Sequence, residues 1–244
     1  MFTLITGASS GVGRATAVRL SAERALILHG RNRERLEETR LLSATPERHA
    51  LWCMDLNDVS SIDASLTSLL AERPVEAFVH CAGAVTVLPM RSTDHKVAQA
   101  MMNVNFLAAV EIVNLLLKRK INGRQLTNII FISSIFSSFG ARGHSAYCAS
   151  KAALDGLMRA LAVELAPAIR VNSILPGALK TSMSGDAFSD PEIVEKFKRD
   201  YPLGIGEPSD IADAVQFLLS PNARWLTGQQ IAVDGGRTVN MSLK

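Results

Sequence analysis

Cysteine is scarce in this 244-residue chain: Cys53, Cys81 and Cys148, widely and irregularly spaced. An odd count excludes a fully paired disulfide framework, and the spacing fits no zinc pattern. Both point to a reducing compartment, read here as cytoplasm. Excess charge is also missing. Lys and Arg number 26 against 23 acids, a formal net charge of +3. Only 31-RNRER-35 and 118-KRK-120 cluster, so no nucleic-acid partner is expected. No apolar run reaches bilayer length, so no membrane partner is expected either. There is no internal repeat and no Pro/Gly/Ser linker. The opening MFTLITGASS lacks a basic region and a cleavage site, and is not read as a signal peptide.

Apolar residues are plentiful, at 48%. Strand-length apolar runs recur at Phe2–Thr6, Ala25–His29, His49–Met54, Val75–His80, Ile129–Ser133, Arg170–Leu175 and Gln230–Val233. Helical spacing fills Gly13–Arg24, Asn32–Leu42, Val59–Glu72, Asp94–Lys120, Ser145–Leu165 and Ser209–Leu219. This alternation predicts one α/β domain over residues 1–244: a doubly wound Rossmann fold with a parallel seven-stranded sheet and helices on both faces. Ligands then gather at the carboxyl ends of the strands. The irregular stretch at about 182–206 is expected to be a substrate lid. Within it, a short helix from Pro191 to Lys198 is expected, capped by Asp190.

The first strand runs into 6-TGASSGVGR-14. Gly7 allows a sharp turn, Gly11 a close approach to phosphate, and Gly13 helix-on-strand packing. The helix that follows directs free N–H groups at a diphosphate. The second strand, ALILHGRNRE, has Gly30 and then Arg31 where NAD-selecting folds place an acid. A guanidinium there suits a 2′-phosphate, so NADP(H) is favoured over NAD(H). Arg14 and Arg33 could assist; Arg31 and Arg33 could equally be solvated.

Together these features resemble the short-chain dehydrogenase/reductase family, in its short single-domain branch, over nearly the whole chain. The resemblance is carried by TGASSGVG, Asp55 in MDLND, 79-VHCAG-83, Asn105 in NVNF, Ser134, Tyr147 with Lys151, 176-PGALKT-181 and 228-GQQIAVDGG-236. It implies cofactor contacts from Gly7, Ser9, Ser10, Gly11, Val12 and Gly13 in the glycine turn. Further contacts are implied from Arg31, Asp55 and Leu56, from Cys81, Ala82 and Gly83, and from Pro176, Gly177, Leu179 and Thr181. It also implies a catalytic set of Asn105, Ser134, Tyr147 and Lys151, with Tyr147 and Lys151 touching the cofactor as well. No metal is implied.

Tyr147 and Lys151 are four residues apart and share one helical face. A neighbouring ammonium is expected to lower the phenol's pKa from about 10, making Tyr147 a general acid in reduction and a general base in reverse. By resemblance, Ser134 orients the substrate carbonyl. Asn105 kinks the long helix and holds a water of the proton relay to Lys151. Strand alternation sends Ser133 elsewhere, and Asn103 is read as surface or packing. Ser145 is expected to cap its helix, and His144 could touch substrate.

One departure is visible. His80-Cys81 stand where the family usually has Asn-Asn. Adjacent strand residues point to opposite faces, so the pair is read as unable to share a ligand, and Cys81 as a buried thiol.

Within the family, length and C-terminal pattern are similar to 3-oxoacyl carrier-protein reductases. A basic patch of Lys118, Arg119, Lys120 and Arg124 could meet an acidic carrier protein. The short loop LAPAIRVN fits that subgroup poorly, and a small ketone, sugar or steroid suits equally well. A non-catalytic NADP(H)-binding regulator is the alternative class. The apolar helices Asp94–Lys120 and Ser145–Leu165 suggest a homodimer or, as the family usually forms, a homotetramer.

Overall fold

The computed structural model describes residues 1–181 and 191–241. Seven strands form one parallel sheet: β1 Phe2–Thr6, β2 Ala25–Gly30, β3 Ala50–Cys53, β4 Val75–His80, β5 Asn128–Ile132, β6 Arg170–Pro176 and β7 Gln230–Val233. Their order is β3-β2-β1-β4-β5-β6-β7. The chain therefore reverses direction across the sheet between β1 and β4, leaving a crevice at their carboxyl ends, where doubly wound folds bind ligands.

Both faces of the sheet are apolar, as a sheet covered on each side requires. Side chains alternate between them. Leu4, Phe78, Ile129 and Phe131 join the core under α3 (Ile62–Leu70), α5 (Ala108–Leu117) and α7 (Ser145–Glu164). Ile5, Val79, Ile130 and Ile132 join the other, under α1 (Gly11–Leu20), α2 (Arg33–Leu42) and α9 (Pro208–Leu219).

The helix expected over Asp94–Lys120 is not one regular helix. α4 (His95–Met102), capped by Asp94, runs into a π-turn at Asn103–Leu107 and continues as α5. The chain turns extended at Lys118 and closes with the single turn α6 (Arg119–Asn122). By length and composition His95–Leu117, 23 residues, could cross a membrane, which corrects the expectation that no stretch is long enough. Its buried residues, including Ala108, Ile112 and Leu116, pack into the core with α3 and the sheet.

The helix expected at Pro191 forms as α8 (Pro191–Asp200). Residues 182–190 of the expected lid, including the proposed cap Asp190, lie outside the described residues. Ser145 does not cap α7. His144 occupies that position without a side-chain bond, and the Ser145 hydroxyl donates to the Met90 sulfur at 3.4 Å.

The expected basic patch also falls in the wrong place for an acyl donor. Asn122 on α6 binds the backbone N–H and C=O of Val75, the first residue of β4. Lys118 to Lys120 therefore sit at the amino edge of the sheet, opposite the crevice, and Lys118 pairs with Asp63 at 3.6 Å. A carrier protein docked there would be on the far side of the molecule from the crevice.

Candidate active site

The glycine turn after β1 is shaped by close backbone contact. Gly7 has φ +69°, and a Cβ there would lie 2.8 Å from the Ala82 nitrogen. A Cβ on Gly13 would lie 2.2 Å from the Gly7 carbonyl oxygen. No other residue fits at 13, so α1 starts hard against the strand, its first-turn amides at the cavity edge.

The turn is braced from beside. The Gly7 N–H donates to Nδ1 of His29 at 3.4 Å, and Nε2 of His29 meets the Met54 carbonyl at 3.1 Å. Burial pushes His29 down to about 4, outweighing the Met54 carbonyl and Asp55, which raise it. A neutral ring with its proton on Nε2 satisfies both contacts. Trp52 packs on it, ring centroids 4.5 Å apart, with its indole N–H on Ser65 at 2.7 Å. His29 was not singled out from sequence, because a lone histidine in an apolar strand gives no pattern.

Arg31 is 75% exposed at its side chain and sits loosely, 3.9 Å from Asp55. Both line the cavity, as do Asn32 and Arg35, which sequence reasoning missed. Arg14 does not assist as expected. Its guanidinium is spent on the Thr39 hydroxyl at 3.0 Å, the Ser9 carbonyl at 2.8 Å and Glu38 at 2.9 Å. Arg33 is exposed and absent from the cavity lining.

At the other end, Ser134 follows β5 and Tyr147 lies in the first turn of α7. Their hydroxyls interact, which lowers the Tyr147 pKa, but burial is larger and raises it overall. The expectation of a phenol lowered by the neighbouring ammonium is therefore corrected: burial leaves it raised. The Lys151 ammonium lies 5.8 Å from the centre of the Tyr147 ring and donates to the Ile132 carbonyl at 2.9 Å. Burial pulls Lys151 down to about 8, while Asp155 and then Cys81 oppose it. Phe136, His144 and Tyr147 form an edge-on ring cluster with centroids 5.2 to 6.5 Å apart.

Asn105 is fully buried in the π-turn. Its amide oxygen accepts from the Ala84 N–H at 2.7 Å, and its nitrogen donates to the Ala84 carbonyl at 3.0 Å and to Ser150 at 2.8 Å. Its side chain is thus committed to protein groups and does not line the cavity. Asn103 instead donates to Asn57 at 3.0 Å, away from the site as expected. Ser133 borders the cavity, but its hydroxyl is engaged elsewhere, donating to Asp155 at 2.9 Å.

His80 and Cys81 part company. His80 is buried and meets the Thr6 hydroxyl at 2.9 Å; burial lowers it to about 3. Cys81 lines the cavity, and burial pushes its thiol up to about 12, so it is neutral at ordinary pH. No three potential metal ligands cluster among the described residues.

All these elements open on one cavity of about 690 Å³. Every residue expected to touch cofactor lines it: the glycine turn, Arg31, Asp55 and Leu56, Cys81 to Gly83, and Pro176, Gly177, Leu179 and Thr181. Ser134, Tyr147 and Lys151 line it too. The glycine cradle and Ser134, Tyr147 and Lys151 thus share one cavity.

A sequence model described as enoyl-(acyl carrier protein) reductase matches residues 7–238. L-xylulose reductase of Mesocricetus auratus is 32% identical over 235 residues, 96% of this chain and 94% of that protein. Human (3R)-3-hydroxyacyl-CoA dehydrogenase is 35% identical over 250 residues, again 96% and 94%. Among solved structures, a 4-hydroxyisoleucine dehydrogenase mutant complexed with NADH and succinate superposes with a TM-score of 0.92 at 27% identity, covering 99% of this chain and all of that one.

Proposed function

The chain belongs to the short-chain dehydrogenase/reductase family, and on that premise we propose that it interconverts a carbonyl and a secondary alcohol with NADP(H), using Tyr147 as general acid and base. The observation that carries this reading is the convergence of Ser134, Tyr147 and Lys151, with the ammonium 5.8 Å from the phenol ring, on the cavity that also holds the glycine cradle.

A bound nicotinamide cofactor supplies a hydride to the carbonyl carbon, or takes one from the alcohol. Ser134 donates a hydrogen bond to the substrate oxygen and fixes it beside Tyr147. In reduction the Tyr147 hydroxyl gives that oxygen its proton; in oxidation the phenolate takes it back. Burial alone makes Tyr147 a reluctant acid. The Ser134 contact and the Lys151 charge offset that reluctance as the proton leaves. Lys151, which lines the same cavity, would hold the nicotinamide ribose. Asn105 keeps the Ala84 backbone and Ser150, one residue before Lys151, in register.

The solved relative holds NADH, so cofactor choice rests on this chain's own residues. No carboxylate stands at the end of β2, and Arg31 is open at the cavity rim with only a distant acid. Both favour a 2′-phosphate.

The substrate is a small molecule. Relatives named for a ketose and for a hydroxyacyl-CoA are similarly close, so a panel should hold ketoses, simple ketones and 3-oxoacyl thioesters. Assembly as a homodimer or homotetramer is part of the reading. Val163 on α7 and Trp225 after α9 are 83% and 92% exposed, an apolar load for a chain on its own. Light scattering at micromolar concentration checks it, and a monomer there would contradict it.

The decisive experiment is Tyr147→Phe. Turnover of the best panel substrate should fall about 10²- to 10⁴-fold, with NADPH still bound as judged by fluorescence. Near-native turnover would sink the assignment.

A further inference from the structure

Lys151 carries a positive charge into a place that hardly tolerates one: the residue is 3% exposed and, among the described residues, its ammonium finds only the Ile132 carbonyl. One helical turn further along α7 lies Asp155, which is 1% exposed. Its Oδ2 accepts from the Ser133 hydroxyl at 2.9 Å and from the Gln230 amide of β7 at 2.8 Å. Its Oδ1 is buried with no hydrogen-bond partner. The two charged groups are thus moored on consecutive residues at the end of β5, the ammonium on Ile132 and the carboxylate on Ser133. They do not touch as an ion pair.

We propose that Asp155 is a positioning residue for Lys151: a fixed, buried carboxylate that keeps the ammonium charged and held at the floor of the catalytic cavity. This rests on the enzymatic reading only for its consequence, since the pairing itself is a property of the fold.

Three observations support it. The Ser133 hydroxyl and the Gln230 amide both donate to Oδ2 and fix the carboxyl one helical turn from Lys151. Among the described residues Oδ1 meets no donor, so that oxygen is not screened by a neighbouring hydrogen bond. The other titratable groups around Lys151 are silent at neutral pH. His80, at the end of β4, is lowered to about 3 and is the neutral imidazole; Cys81, beside it, is raised to about 12 and is the neutral thiol. Tyr147, on α7 itself, is raised by burial and keeps its proton at rest. Among the described residues that leaves Asp155 as the charge that holds Lys151 protonated. Burial draws Lys151 down, and Asp155 is the first group that pushes it back.

The alternative is that Asp155 merely ties α7 to β7. The test separates the two by reading Lys151 directly, in protein labelled with ¹³C at the lysine ε-carbons and assigned with Lys151→Arg. In Asp155→Asn, which preserves shape and most hydrogen bonds, the Lys151 midpoint should fall by about one pH unit or more, a tenfold or greater loss of proton affinity. In Gln230→Ala, which cuts the tie to β7 but keeps the charge, it should stay near native. Equal shifts in both variants, or none in Asp155→Asn, would overturn the proposal. Should Asp155→Asn fail to fold, the reciprocal measurement serves: by linkage, Lys151→Met should raise the midpoint of the Asp155 carboxyl carbon. An unmoved carboxyl there also overturns it. The alkaline limb of the activity profile should move toward acid with Lys151 in Asp155→Asn. A shifted Lys151 in a protein that reduces no carbonyl upholds the positioning role and defeats the enzymatic reading. An active protein whose Lys151 stays put does the reverse.

Discussion

Gly30 decides how much room the cavity has beside the ribose. A Cβ there would come within 3.1 Å of the Ser9 side chain and 3.2 Å of Leu36. A carboxylate at 30 must therefore displace Ser9, and would repel a 2′-phosphate. Gly30→Asp should lower kcat/KM for NADPH relative to NADH, and Arg31→Ala should do so through lost attraction. Removing a charged hydrogen bond is worth about 1.5–3 kcal/mol, or roughly 10- to 150-fold. Paired assays with both cofactors check this, and an unchanged ratio in Arg31→Ala would return Arg31 to the solvated surface. The glycines and Arg31 were legible as cavity residues because position in a motif marks each of them. His29, Arg35 and Asp155 were not. His29 and Asp155 depend on what β3 and β7 bring against them, and Arg35 on where α2 sets it beside the cavity; no spacing in one chain encodes that.

The long helix from His95 to Leu117 was legible from its spacing as a length of helix, and its kink at Asn105 only through the family resemblance. Met101, Asn105, Ala108, Ile112 and Leu116 keep a helical spacing straight across the π-turn, so periodicity cannot reveal it. The sign was chemical: an asparagine in an apolar stretch, where helix interiors disfavour it. That residue now explains the break, because a widened turn lets its amide reach the Ala84 backbone. Asn105→Ala would leave the Ala84 N–H and C=O without these partners. The expected cost is about 2–4 kcal/mol, read as a lower urea midpoint at unchanged slope. A loss under half that would mean water replaces the amide without penalty. The irregular stretch at about 182–206 was legible as a lack of pattern apart from the helix expected at Pro191. Of it, α8 and Gly206, bridged to Leu179, are described.

For the whole molecule, topology was the most legible level. Seven apolar runs alternating with helical segments admit few arrangements once crossovers are right-handed. The energetic consequence that sequence hides is the protonation of the core. His29 and His80 are buried neutral, lowered from 6.5 to about 4 and about 3. Depressed histidines contribute full stability above pH 6.5. Below it the unfolded chain takes up protons that the folded one refuses, so stability falls until the folded values are reached. Each histidine should cost about 1.4 kcal/mol per pH unit in that window, hence roughly 4 kcal/mol for the pair between pH 6.5 and pH 5. Urea titrations at pH 7 and pH 5 measure this, and a flat response would place water or a counter-ion beside one of the rings. His80→Gln should remove about half of the slope.

The chain's two tryptophans occupy opposite surroundings. Trp52 is 4% exposed, stacked near His29 with its indole N–H on Ser65, whereas Trp225 stands in the open beyond α9. Intrinsic fluorescence of this protein is therefore two signals. The shorter-wavelength emission, shielded from acrylamide, belongs to Trp52 and follows the integrity of the β2–β3 side of the sheet. The longer-wavelength, quenchable emission belongs to Trp225 and follows whatever comes to cover that face. With Trp225→Phe in hand, one cuvette distinguishes a chain that unfolds from a change confined to the face around Trp225.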